Sequence, residues 1–256
     1  MLHRPGWDGI YDLSRELKLR IEMETNLLSK EPFIERLREV GTRRYHHKHP
    51  FHVLMNEGKL KPEAIRGWVA NRFYYQRNIP VKDAAIISNC PIREVRRLWL
   101  HRIIDHDGTH EGEGGIEAWL KLAEACGMSR EELLEEQHVL PGVRFAVDAY
   151  VSFARTRPWP VAVASSLTEL FAPDLMANRL AAFEKYYTWV KPWGFDYFRK
   201  RVTQAKVDSE EGLKLTVTYC DTRALQEEAV RALSFKCDVL WSMLDAIQAG
   251  SQSNRG

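Results

Sequence analysis

The chain has 256 residues, of which 45% are hydrophobic and 28% charged, and its formal net charge is +2. That length allows one large domain or two small ones, with a substantial buried core. The charge is too weak for a nucleic-acid grip, and no apolar run is long enough to span a bilayer.

Residues 1–30 are charge-rich with a helical pattern, and Tyr11, Leu13, Leu17 and Ile21 suggest an amphipathic helix there. This segment is expected to be an extension outside the core, packing on a partner subunit. The first eighteen residues lack the apolar h-region of a secretory signal. The four cysteines (Cys90, Cys126, Cys220, Cys237) are widely spaced with no CxxC. A reduced, cytoplasmic protein is the expectation. The run YHHKHPFH, Tyr45 to His52, reads as a polar loop that gathers several proton-transfer groups.

Pro62 predicts a helix start for AIRGWVANRFYYQ, and Pro91 the same for IREVRRLWLHRII. Gly108 breaks the helix between His106 and His110. Ser129 and Glu132 form a capping box before LLEE. Pro141-Gly142 punctuates the approach to VRFAVDAYVSFA, Pro158 and Pro160 separate that helix from VAVASSLTELF, and Pro173 opens another. Gly194 precedes a long helix, and the last helix spans about 221–249, stopping at Gly250 before a polar tail, 251–256. No strand alternation, hairpin dipeptide or repeat interrupts this pattern. Residues 31–250 therefore read as one all-α bundle of about seven or more helices.

The stretch Gly67 to Cys90 has the apolar content of a buried helix, yet carries Arg72, Arg77 and Lys82 before its first carboxylate, Asp83. Arg72, Tyr75, Gln76 and Ile79 share one helical face. A buried cation needs a counter-charge, so Arg72 implies a distant carboxylate or an anionic ligand. Arg102 and His106 pair at i, i+4; a neighbouring cation lowers an imidazole's pKa and suits a neutral general base, the alternative being an ordinary surface helix end. Tyr197 and Arg201 repeat the spacing, and Arg144 and Asp148 form a pair that satisfies itself. Lys236, among apolar residues, is expected to snorkel to water unless it meets an anion. If Arg72, Lys82, Arg102, Arg201 and Lys236 converge, their pocket suits a planar polyanion.

All nine histidines lie at or before His138. Di-iron bundles take Glu-x-x-His pairs from two helices, and here Glu135-x-x-His138 stands alone beside the looser Asp107-x-x-His110. No Gly-rich phosphate loop, GxSxG or HExxH is present.

The runs GWVANRFYYQ, IPVKDAAI, RIIDHDG, GGIEAWL, HVLPGVRFAVDAY, SSLTELFAP, YFRKR and FKCDVLWSMLDA closely resemble the pyrroloquinoline-quinone (PQQ) synthase family, from about residue 31 to 249. The resemblance implies a compact haem-oxygenase-like bundle of seven core helices without haem, assembled as a homodimer. It implies a cofactorless, metal-free oxidase for the last step of PQQ biosynthesis: ring closure and O2-dependent oxidation of a tricarboxylated quinone precursor, AHQQ, releasing hydrogen peroxide. Other PQQ-biosynthesis proteins are possible partners. By motif, the family's site falls on Tyr45, His46, Arg72, Tyr75, Gln76, Lys82, Arg102, His106, Tyr150, Glu169, Arg179, Tyr197, Arg201, Lys236 and Leu240. The resemblance assigns the clamping of carboxylates and quinone oxygens to Arg72, Lys82, Arg102, Arg179 and Lys236, proton transfer to His106 with His46 and Glu169, and the anionic oxygen species to Tyr197 and Arg201. The chain departs from the family at Met176, where FAPxxH becomes FAPDLM. A thioether neither donates a hydrogen bond nor acts as a base at neutral pH, which raises a quinone carrier or partial oxidase as the alternative. Two other classes are a metal-dependent oxygenase and a thiaminase-like hydrolase using Cys126.

Overall fold

The computed structural model describes residues 26–253, and among these every regular element is helical. The helices are α1 (Lys30–Arg44), α2 (Pro50–Asn56), α3 (Pro62–Asn89), α4 (Arg93–Asp107), α5 (Gly114–Ala125), α6 (Arg130–Leu134), α7 (Pro141–Thr156), α8 (Trp159–Ser165), α9 (Ala172–Tyr186), α10 (Asp196–Tyr219) and α11 (Arg223–Ser253). Three 3-10 turns, at His46–Lys48, Ser166–Phe171 and Pro192–Phe195, join them. The face expected at Tyr11, Leu13, Leu17 and Ile21 lies outside the described residues.

The local signals act largely as the sequence predicts. Pro62 sits in the first turn of α3, where its missing N–H costs nothing. Ser129 Oγ accepts from the Glu132 N–H at 3.2 Å, and the Glu132 carboxylate accepts from the Ser129 N–H at 2.7 Å, closing the capping box of α6. Gly108, at φ +80°, ends α4 in a backbone region closed to most side chains. Two expectations need correction. Pro91 stays outside α4, whose N-cap is the extended Ile92. Gly250 does not stop α11, which runs on to Ser253. A Cβ at Gly250 would lie 2.8 Å from Leu140 Cδ1, so this glycine admits a neighbouring segment instead of ending the helix.

Helix α3 is the axis of the molecule, packed by α4, α5, α7 and α11. Buried positions recur along its whole length, including Ile65, Trp68, Val69, Phe73 and Ile86. Trp68 and Trp119 meet edge-on with centroids 5.3 Å apart, and Phe183 and Phe198 close the same aromatic cluster. Trp119 donates its indole N–H to the Val69 carbonyl at 2.9 Å, so the ring is buried without an unmet donor. This cluster is the apolar floor on which the polar interior rests.

Candidate active site

Charged side chains gather where α3, α4, α7, α9, α10 and α11 meet the turn at Ser166–Phe171. Arg102, Arg179, Lys82 and Lys236 are each at most 2% exposed. Burial at this level requires compensation, and the structure divides the cations by how they find it.

One half is paired by the protein. Arg102 donates through Nη2 to both Glu169 oxygens, at 2.5 and 2.6 Å, and lies 3.7 Å from Asp83 and from Asp208. Arg201 donates to Asp208 at 3.0 Å and faces Glu169 at 3.6 Å. Lys82 donates to Asp83 at 2.5 Å and to Ser166 Oγ at 3.0 Å. Asp83 also accepts the Trp99 indole N–H at 2.8 Å. Burial opposes the Arg102 charge, but Glu169, Asp83 and Asp208 outweigh it and raise its pKa. Burial likewise disfavours the Glu169 carboxylate, and Arg102 and Arg201 overcome it, holding the group at about 2. Asp208 is raised, by burial first and then by Glu169.

The other half is not paired. Among the described residues no carboxylate lies in ion-pair range of Arg72, Arg179 or Lys236. Lys236 donates to Tyr75 Oη at 2.7 Å, with its ammonium 3.5 Å from the Tyr150 ring centroid and 4.1 Å from that of Tyr75. The expected snorkelling therefore does not occur: α11 turns Lys236 inward, where it is 1% exposed. Burial, then Arg72 and Lys82, push its pKa well below the usual lysine range. Arg72 stacks on Tyr75, 4.0 Å from the ring centroid. Arg179 reaches His52 Nε2 at 3.0 Å, leaves its buried Nε without a partner, and is pulled to about 9 by burial and Arg72.

His106 donates from Nδ1 to the Arg102 carbonyl at 2.9 Å. The neutral ring then carries its lone pair on Nε2, the form a base needs. Burial, with Arg201 next, lowers its pKa to about 4. The predicted direction is found, but desolvation contributes more than the neighbouring Arg102. Tyr197 Oη accepts from Gln76 Nε2 at 2.8 Å, and Gln76 Oε1 is left without a donor. Burial raises the phenols of Tyr45, Tyr75 and Tyr150 well above their ordinary range.

Two small cavities touch these residues. One, about 10 Å³, is lined by His46, His52, Arg72, Arg179 and Leu240 among others, and one of about 20 Å³ by His106, Tyr197 and Arg201. Each has room for about one water molecule. Every site residue read from the sequence is thus in or beside one polar interior. Met176 is there too, 5% exposed, its sulfur 3.9 Å from Arg179 Nη1.

The sequence reading missed Asp83, Asp208 and Ser166 as partners of the basic groups, and His52 as a partner of Arg179. Asp208 stands seven residues after Arg201, on the same helical face, a spacing that was available to read. Arg144 and Asp148 do not pair: Arg144 binds Glu136, and Asp148 accepts from Tyr74 Oη at 2.7 Å. Among the described residues, His101, Asp105 and Asp208 have metal-ligand spacing. Asp208 is already held by Arg201, and two guanidiniums beside it oppose a cation. Cys126 is buried, its thiol pushed up to about 12 by desolvation, which is unsuited to a nucleophile.

The chain is 54% identical over 233 residues to a pyrroloquinoline-quinone synthase of Pseudomonas aeruginosa (strain LESB58), covering 91% of this chain and 93% of that protein. It is 56% identical over 224 residues to the enzyme of the same name from Cronobacter sakazakii, covering 88% and 89%. Among solved structures, a TenA homolog from Pseudomonas syringae pv. tomato superposes with a TM-score of 0.68 at 14% identity, covering 88% of this chain and 98% of that one. A Shewanella denitrificans domain of unknown function with a heme oxygenase-like fold gives 0.69 at 14% identity, covering 89% and 95%. These two show the fold. Residues 34–246 match the model of the TENA/THI-4/PQQC family, and the chain belongs to that family.

Proposed function

We infer that this protein is a pyrroloquinoline-quinone synthase, performing ring closure and O2-dependent oxidation of AHQQ with release of hydrogen peroxide. The observation that carries the reading is the set of three cations, Arg72, Arg179 and Lys236, which have no carboxylate in ion-pair range among the described residues. A tricarboxylated quinone supplies three, and charge-assisted contacts of this kind bind planar anions strongly. Lys82 and Arg102, grouped with the clamps in the sequence reading, are neutralised within the protein. Their role is to build a rigid wall, with Glu169 as an ionised brace for Arg102 rather than a proton carrier.

The chemistry needs placement and proton removal, because an electron-rich ring passes electrons to O2 once deprotonated. His106 offers Nε2 as the base. Tyr197 and Arg201 line the same cavity, where their donors stabilise negative charge on oxygen, and Gln76 orients the Tyr197 hydroxyl. Water-sized cavities mean that the walls part to admit the substrate. We assign the reaction to the side chains and O2, without a metal or haem. A homodimer is supported by Leu100 and Ile104, one turn apart on α4 and 48% and 41% exposed. No described helix is long and apolar enough to cross a membrane, in keeping with a cytoplasmic enzyme.

The test is to mix metal-stripped protein with AHQQ under air and follow PQQ absorbance and peroxide. Formation of both supports the reading. Bound quinone that stays incompletely oxidised would refute it and locate the defect at Met176, to be checked by Met176→His.

A further inference from the structure

Three groups outside the carboxylate network form a chain: Arg179, His52 and His46. They come from α9, α2 and the turn at His46–Lys48. All are at most 3% exposed, and the cavity beside them has room for about one water molecule. Arg179 Nη2 stands 3.0 Å from His52 Nε2. A guanidinium only donates, so His52 Nε2 holds a lone pair and its proton is on Nδ1. His52 Nδ1 in turn lies 3.1 Å from His46 Nδ1 and 3.1 Å from the His46 carbonyl. Whichever of the two accepts, a second proton on His46 Nδ1 would collide with the one on His52. Hence His46 Nδ1 also holds a lone pair, and the neutral ring carries its proton on Nε2. Among the described residues nothing in the protein accepts from that Nε2–H, and His46 lines the cavity with Arg72 and Arg179.

Resting on the reading that this cavity receives the quinone, we infer that His52 is a positioning residue that fixes the His46 tautomer, so that His46 meets the substrate as an Nε2–H donor to an anionic oxygen and not as a base. The arrangement is the reverse of that at His106, where Nδ1 donates to the Arg102 carbonyl and Nε2 is left to accept. Two histidines on one substrate are thereby set to opposite duties by their outer partners. His106 takes protons, and His46 holds negative charge on the substrate oxygen by hydrogen bonding. Arg179 is fixed by the same contact, because His52 Nε2 is the one side-chain nitrogen acceptor its guanidinium meets among the described residues.

The experiment uses the full chain with 15N-labelled histidine, and reads two-bond 1H–15N correlations at pH 7.5 without substrate. The expected pattern is His52 protonated on Nδ1 and His46 on Nε2, with His52→Leu giving a mixed or switched His46. The kinetic arm compares kcat with AHQQ. His52→Leu and His52→Gln should lose about 10- to 100-fold, the usual range for a partner that orients a working imidazole. His52→Asn, whose amide N–H takes the place of Nδ1–H, should recover most of kcat while KM rises with the loss of the Arg179 contact. A wild-type His46 protonated on Nδ1 overturns the inference, as does equal kcat loss in the Asn, Gln and Leu variants. Failure of the wild-type protein to oxidise AHQQ would instead strike the functional reading, while the spectra still decide the tautomer.

Discussion

Lys236→Met is the most informative single substitution, because Lys236 is a buried amine with no carboxylate in ion-pair range among the described residues. Met matches its length and fills the same space without a charge. In the unfolded chain the amine titrates near 10.4, as lysine ordinarily does. In the folded protein burial, Arg72 and Lys82 lower that pKa well below the ordinary value. Between the two values the unfolded state binds a proton that the folded state has released. Unfolding free energy therefore rises with pH across that window, by up to about 1.4 kcal/mol per pH unit. Stability is lost as pH falls, down to the folded pKa. Met removes the group and its slope. The variant should be the more stable protein at pH 8, less about 1 kcal/mol for the lost Tyr75 hydrogen bond. That advantage should shrink as pH rises from 8 to 10, by up to about 1.4 kcal/mol per pH unit. Urea melts of both proteins at pH 8, 9 and 10 read it directly. A stability difference constant across that range would refute the assignment of Lys236 as an uncompensated buried amine. Binding of AHQQ should weaken by about 10- to 100-fold, the loss of one charge-assisted contact.

Calorimetry of AHQQ binding in buffers of different ionisation enthalpy should show proton uptake at pH 8, since a carboxylate beside Lys236 restores its ordinary basicity; no uptake would place the carboxylates elsewhere. His106→Asn keeps an N–H for the Arg102 carbonyl but has no basic nitrogen, so kcat should fall about 10²- to 10⁴-fold with thermal stability little changed. Glu169→Gln removes the anion that Arg102 and Arg201 share, at an expected cost of about 3 kcal/mol. The Glu169 contribution is present above pH about 4.5 and is lost as pH falls toward about 2, so wild type and variant should converge in acid melts. The thiols of Cys90, Cys126, Cys220 and Cys237 are all buried, and a thiol reagent should titrate none of them quickly until denaturant is added.

Helices were legible because their signals are local. The Ser129–Glu132 box and the Pro62 start each lie within one turn, and the structure contains both. The failures came where a distant segment decides the outcome. Gly250 stays helical because Leu140, more than a hundred residues earlier, needs the space a Cβ would fill. Arg144 leaves Asp148 for Glu136 because Tyr74 already occupies Asp148. Lys236 looked able to reach water from α11 alone, and it is the approach of α3 with Tyr75 and of α7 with Tyr150 that shuts it in. The site residues themselves were found by family resemblance and helical spacing. Spacing supplies faces but not the partners on other helices, which is why His52, Asp83 and Asp208 were not read as partners of the basic groups.

The division of the cations also explains how the same interior both folds and works. A buried ion pair holds geometry well once formed, and removing one member is costly. Arg102, Arg201 and Lys82, braced by Glu169, Asp208 and Asp83, are therefore suited to keeping His106 and Tyr197 in place before any substrate arrives. Arg72, Arg179 and Lys236 have the opposite property. Buried Arg179 and Lys236 are destabilising until an anion meets them, so they lower the stability of the empty protein and raise that of the complex, and half-buried Arg72 adds its charge beside them. A variant that pairs them internally, such as Leu240→Glu beside Lys236 and Arg72, should melt higher when empty and lose its response to AHQQ. Were such a variant to gain no stability, the unpaired cations would not be the source of strain, and the match of three charges to three carboxylates would lose its physical basis.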